Sequence, residues 1–202
     1  MSKFTSRLRQ ACLDELTRFA NGKEYNDPFA AYVGEYWKAI GINHLDGKTT
    51  VGGIRPAWSA AFVSFCVKTA GAGDRFMYTQ AHCHYVARAM DAAEKASSSF
   101  GYVARRPESY TPRVGDIVCA GRLYAKQYTY DMARMQYVAD SFYPSHGDII
   151  VDISDGHAAA VGGNLSDSVQ RKRLALTPEG YLEPLTAGGK TYPWIAVLEC
   201  RM

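Results

Sequence analysis

The stretch Arg55-Pro56-Ala57-Trp58-Ser59-Ala60-Ala61-Phe62-Val63-Ser64-Phe65-Cys66-Val67 decides how this chain is read. Proline and small residues lead into an apolar run, and steps of three and four from Ser59 reach Phe62, Val63, Cys66, Val67 and Ala70. Residues so spaced share one helical face, so the pattern predicts a helix whose buried stripe begins at Ser59. The hydroxyl is then aimed inward at a helix N-terminus, where free N–H groups and the positive end of the dipole favour negative charge. Local pattern alone gives Ser59 the ordinary role of an N-cap.

Upstream, Leu8, Ala11, Cys12, Leu16 and Phe19 mark one face of a helix over 3–20, stopped by Asn21-Gly22. A second helix is expected after Asn26-Asp27, with Pro28 at its first position and Phe29, Tyr32, Val33, Tyr36 and Trp37 following. Downstream, Gly71-Ala72-Gly73 ends the serine helix, and a further helix is expected over 79–96. Its Ala81-His82-Cys83-His84-Tyr85 run invites a metal reading, but two residues turn a helix by about 200° and send the histidines apart. His82 falls with Tyr85, Val86, Ala89 and Ala93 and is read as a structural core or cleft histidine, whereas His84 falls on the wet side.

A serine-rich break at Ser97-Ser98-Ser99 precedes an extended segment punctuated by Pro107 and Pro112, and then a turn and short strand, Pro112 to Cys119. Residues 123–142, rich in tyrosine and methionine, read as a helix or an excursion beside the cleft. Ser145 to Ile153, His157 to Val161, Val169 to Leu176 and Tyr192 to Cys200 read as strands, giving about five in an antiparallel meander. Helices first and strands second is the α+β pattern. One domain over 1–202 is expected, with 1–54 as a helical extension and 55–202 as the core.

Composition narrows the classes. A net charge of +3 with no long basic run gives no footing for nucleic acid, and no phosphate-cradling glycine loop appears. Nothing approaches the roughly 20 apolar residues of a membrane span, and the first residues lack the apolar core of a secretory signal, so a cytoplasmic site of synthesis is expected, with any export by a leaderless route. The five cysteines, Cys12, Cys66, Cys83, Cys119 and Cys200, have neither disulfide nor zinc spacing. No cofactor and no metal are expected.

Three polar positions then stand in order: Ser59 opening a helix, His146 opening a strand, and Asn164 after the next strand. The run Trp58-Ser59-Ala60-Ala61-Phe62-Val63 resembles the nucleophile helix of the CHAP and NlpC-type amidohydrolases, close to W-C-A-A-F-V. Pro112 to Val118 is similar to their P-x-x-G-D-I/L-V strand, His146 to Val151 to their histidine strand, and Gly162 to Val169 to the G-G-N-x-S-D-x-V run of a CHAP-like subgroup. More closely, the chain resembles an uncharacterised CHAP-related bacterial family that itself carries W-S-A-A-F. The resemblance implies a papain-like α+β fold and a hydrolase that cleaves an amide or peptide bond in peptidoglycan. Ser59 would be the nucleophile, His146 the base and Asn164 the residue orienting it, with Asp148 and Asp152 as alternatives for that last role.

The family's cysteine is replaced by Ser59, whose hydroxyl is far less acidic than a thiol and needs a true general base. Cys119, on the strand expected beside that of His146, is the alternative thiol. The substitution also opens a second reading, a catalytically silent relative that binds a cell-wall fragment or a protein. A delivered bacterial toxin with an immunity or secretion-apparatus partner is a third. Strict alternation puts His146, Asp148, Ile150 and Asp152 on one strand face and Ile149, Val151 and Ile153 on the other. His146 reaches Ser59 only if Gly147 carries a bulge or if both sheet faces are covered.

Overall fold

The structure is a computed structural model describing residues 1–202 except 96, 97 and 140. Five α-helices lie among the described residues: α1 Lys3–Phe19, α2 Phe29–Ala39, α3 Ser59–Thr69, α4 His82–Glu94 and α5 Tyr130–Val138. A six-stranded antiparallel sheet is built from β1 Tyr102–Arg105, β2 Ile117–Gly121, β3 Ser145–Ser154, β4 His157–Gly162, β5 Gln170–Ala175 and β8 Trp194–Cys200. A separate hairpin pairs β6 Leu185–Ala187 with β7 Lys190–Tyr192. The α+β class expected from the sequence is the one observed. No helix among the described residues is long and apolar enough to cross a membrane.

The sheet differs from the expected meander in two ways. Its order is β1-β8-β2-β3-β4-β5, so the C-terminal strand inserts between the first two. β1 itself lies in the segment read as merely extended: four residues between glycine and proline leave too short a pattern to announce a strand. The serine-rich break falls partly outside the described residues, as does the last position of the expected 79–96 helix.

Helix starts follow the local chemistry. Ser2 caps α1, accepting from Thr5 N at 3.1 Å, and Ala20 closes it in a left-handed conformation. Pro28 precedes α2. The decisive helix is α3, buried at eight of its eleven residues. Beyond the expected stripe, Ala60, Ala61 and Ser64 are buried too, because α1 and α2 cover one side and the sheet the other. Its leading Trp58 packs among Phe19, Tyr36 and Phe62, with ring centroids 5.5 Å from Tyr36 and 5.7 Å from Phe19. The Trp58 indole N–H donates to the buried carboxylate of Glu24. Burial pushes that carboxyl's pKa up, and the indole bond partly offsets the push.

Both faces of the sheet are covered. Ile117, Cys119, Ile149, Val151, Val161, Ile195 and Leu198 meet the helices. Val118, Ile150, Ala158, Ala160, Trp194 and Val197 form a second, smaller core on the far side with Leu174 and Leu182. The pairing of β2 with β3 runs without interruption from Ile117↔Ile149 to Gly121↔Ser145, so Gly147 carries no bulge. The irregularity in β3 lies further along, between Ile150 and Asp152. His146 and Asp148 therefore occupy the far face, and Gly147 the helix face.

Gly163 sets how closely the end of β4 approaches α3. A Cβ there would lie 2.6 Å from both Phe62 Cβ and the Trp58 ring, closer than atoms tolerate. Gly163→Ala is expected to destabilise the fold by about 1–3 kcal/mol through overpacking. The shift in urea midpoint measures it, and an unchanged midpoint would contradict this contact.

Candidate functional site

Ser59 is the first residue of α3, and the cap position belongs to Trp58, which makes no side-chain cap bond. The N-cap reading of Ser59 is thus corrected. Its hydroxyl reaches sideways, with Oγ 2.7 Å from His82 Nε2. The spacing is set by a reciprocal pin between α3 and the segment before α4. Ser64 Oγ accepts from Thr79 N at 3.1 Å and donates to Thr79 O at 3.2 Å. That pin holds the chain at 79 against α3, and α4 opens three residues later at His82.

His82 is hydrogen-bonded on both ring nitrogens, since Nδ1 meets the Tyr85 hydroxyl one turn along α4. With the proton on Nδ1 donated to Tyr85, Nε2 is left to accept from Ser59. The ring lies over Gly147 of β3, where a Cβ would stand 2.9 Å from His82 Nδ1 and 2.5 Å from the Tyr85 hydroxyl. The glycine is the gap that lets an imidazole and a phenol sit against the strand.

His146 is held separately. Its Nε2 donates to Asp148 Oδ1 at 2.8 Å, and Lys172 Nζ on β5 donates to Asp148 Oδ2 at 2.8 Å. Here too a glycine makes room: a Cβ on Gly162 would lie 1.8 Å from Asp148 Oδ1 and 3.3 Å from His146 Nε2. The two imidazoles meet at the sheet's end, ring centroids 5.4 Å apart and tilted by 53°.

Burial separates the charges. It pushes His82 well below the ordinary histidine value, and the neighbouring His146 adds to the push. Burial also lowers His146, with Asp148 pulling part of the way back. For Asp148, burial alone would raise the carboxyl, but the charges and hydrogen bonds of His146 and Lys172 outweigh it and hold it well below the usual range. Burial drives the Tyr85 phenol well up, so it stays protonated.

Ser59, His82, His146 and Asn164 line one cleft of about 390 Å³, with Arg122, Leu123 and Phe142 at its mouth. The cleft brings together all three residues expected from the sequence, with different partners. Ser59 bonds to His82 and makes no hydrogen bond to His146. Asp148 takes the orienting role expected of Asn164. The Asn164 side chain makes no hydrogen bond to His146, and its backbone is left-handed at φ 55°, a conformation asparagine tolerates better than most residues. Asp152 lies past the irregularity and pairs with Arg171 at 3.8 Å. Cys119 is fully buried on the helix face, its thiol pushed up by burial, and does not line the cleft. In the segment read as a helix or an excursion, Leu123–Ala125 is a 3₁₀ turn and Tyr130–Val138 is α5; of its described residues, Leu123 and Phe142 line the cleft and those of α5 do not.

A model of the bacterial family described as "Uncharacterized protein conserved in bacteria (DUF2272)" matches residues 30–200. The chain belongs to the DUF2272 family. Neither a curated protein nor a solved structure matches it. The DUF2272 span takes in Ser59, His82, Tyr85, His146, Asp148 and Lys172, so both hydrogen-bonded networks lie inside the family's own domain, and α1 lies outside it.

What the sequence reading missed in this DUF2272 site is the pairing of Ser59 with His82. The signal was present, since His82 and Tyr85 were already placed on one buried stripe. The partner was not, because only the pin at Thr79 brings that stripe to Ser59. Asp148→Asn tests the second network. Removing the carboxylate charge removes what favours the His146 imidazolium, so His146 should titrate at lower pH than in the wild type, followed by imidazole proton NMR. A rise would overturn the pairing.

Proposed function

We propose that this protein is a serine-type hydrolase of amide or peptide bonds, with Ser59 as nucleophile and His82 as its general base. One observation supports this reading above the others: a serine hydroxyl at a helix N-terminus, 2.7 Å from an imidazole nitrogen, in the wall of an open cleft. In the proposed reaction Ser59 Oγ attacks the carbonyl carbon as its proton passes to His82 Nε2. The backbone N–H groups of the first turn of α3 meet the developing oxyanion. His82 then returns the proton to the departing amine, and water releases the acyl group by the same path reversed. Tyr85 positions the imidazole through Nδ1. His146, fixed by Asp148, is a second proton-carrying group across the cleft, and its assignment as the base of Ser59 gives way to His82.

The proposed substrate class is the peptide part of bacterial cell wall, carried by the ordered likeness of Trp58–Cys66, Pro112–Val118, His146–Val151 and Gly162–Val169 to the CHAP and NlpC-type pattern. The papain-like arrangement is part of the same proposal. Peptidoglycan lies outside the cytoplasm, so this reading entails delivery across the inner membrane, with an immunity or secretion-apparatus protein as the matching partner.

The test is release of new amino groups from purified sacculi. Ser59→Ala and His82→Ala should each lower kcat by on the order of a thousandfold or more. Tyr85→Phe should lower kcat with KM nearly retained. Full activity in Ser59→Ala would end the reading. The pH profile follows from the lowered histidines. The base must be neutral, and its folded value lies below 6.5, so the active form persists as pH falls past 6.5 and is lost only at lower pH. An acid limb of kcat above 6.5 would place the base elsewhere.

A second reading, a silent binding module, is favoured by the depth of His82, only 4% exposed and correspondingly weak as a base. Sacculus binding without amine release in the wild type, together with hydrolysis gained in Ser59→Cys, would select it.

A further inference from the structure

Beneath the sheet lies a second cavity of about 460 Å³, on the face opposite the helices and open to solvent, with the β6–β7 hairpin along one wall. Its walls are apolar: Leu165, Leu185, Tyr192 and Trp194. The Trp194 indole is fixed by donating from Nε1 to Glu183 O at 2.8 Å. Three cations, Arg122, Lys126 and Lys172, border the same space, against the single carboxylate of Asp148. Lys172 is engaged with Asp148 at 2.8 Å. Arg122 and Lys126 form no ion pair among the described residues. Lys126 Nζ instead stands 5.7 Å from the Tyr192 ring centroid, at the edge of the aromatic wall. Arg122 is anchored through its backbone, donating to Pro144 O at 2.9 Å.

We propose that this far-face cavity binds an organic carboxylate with an apolar body, whose chain or ring lies against Trp194, Tyr192, Leu165 and Leu185 and whose carboxylate meets Arg122 and Lys126. The chemistry is selective in both halves. A neutral apolar ligand would make no use of the two cations, which form no ion pair among the described residues. A bare phosphate would leave the apolar walls wet, forgoing the burial that drives binding in such pockets. A guanidinium and an ammonium bordering one cavity suit a carboxylate, which can take charge-assisted hydrogen bonds from either. The site is distinct from the Ser59 cleft and does not rest on the hydrolase reading, although Arg122 and His146 border both spaces.

Two sources share this chemistry, a free aryl or acyl acid and a peptide C-terminus with an apolar last residue. Isothermal titration of the full chain with 4-phenylbutyrate and with acetyl-Ala-Phe, each against its own carboxamide, separates them. At least one carboxylate should bind about tenfold or more tightly than its amide, the scale of one charge-assisted contact, and the probe that does so identifies the source. Lys126→Glu, an exposed position, should weaken that carboxylate by about tenfold or more and leave its amide unchanged, while Ser59→Ala should bind as the wild type does. Arg122→Gln should give a second loss, so that the result does not hang on one variant. Equal binding of acid and amide for both probes, no binding of either acid, or carboxylate binding untouched by both substitutions would overturn the proposal.

Discussion

A buried hydroxyl needs a hydrogen-bond partner, and α3 gives Ser59 no choice but to be buried. The helix is covered by α1 and α2 on one side and by β3 and β4 on the other, so its first turn opens into protein as much as into solvent. With the cap position occupied by Trp58, the hydroxyl turns to the nearest acceptor that the fold supplies, His82. The rest of the site follows from that pair. His82 must then be oriented, which Tyr85 does, and must be given space, which Gly147 does.

Three glycines make the close approaches on which this arrangement depends, each against a different neighbour. Gly147 admits the His82–Tyr85 pair to the helix face of β3, Gly162 admits the His146–Asp148 pair to the far face, and Gly163 lets α3 dock on the end of β4. None of them has a positive φ, so the absence of a Cβ rather than backbone freedom explains each one. Because Gly147 lies between His146 and Asp148 in sequence, one strand serves both networks: alternation sends the imidazole and its carboxylate one way and the gap the other.

Periodicity made much of the fold legible. The helix patterns at Lys3–Phe19, Ser59–Thr69 and His82–Glu94 are long enough to fix element type, and the alternation from His146 to Ile150 fixed the two faces of that strand; past the irregularity between Ile150 and Asp152 the expected faces of Asp152 and Ile153 are exchanged. β1 was not legible because four residues carry too little pattern. The insertion of β8 beside β2 was not legible because nothing local in Trp194–Cys200 names its neighbours. The cleft shows the same division. Ser59, His146 and Asn164 were found as positions, since chain order and motif carry that much. Their pairing was not, since Ser59 and His82 stand 23 residues apart and meet only through Ser64 and Thr79. Asp148 was legible as an alternative because it shares His146's face at a spacing of two.

The electrostatics assign the two histidines unlike work. His82 has neutral partners, a hydroxyl on each ring nitrogen, so nothing at hand compensates a charge on it except Asp148 at a distance. It is suited to hold a proton only briefly, as a base does while an anion forms beside it. His146 sits directly on Asp148, whose carboxyl His146 and then Lys172 hold down, so its Nε2–H is directed at that oxygen and its ring orientation is set. Placing Asp148 and Lys172 beneath the sheet leaves the hydroxyl–imidazole pair above it with no charged group in direct hydrogen-bond contact. In the proposed hydrolysis, an oxyanion developing at the first turn of α3 would stand where the low dielectric of a buried site magnifies the help of each N–H donor.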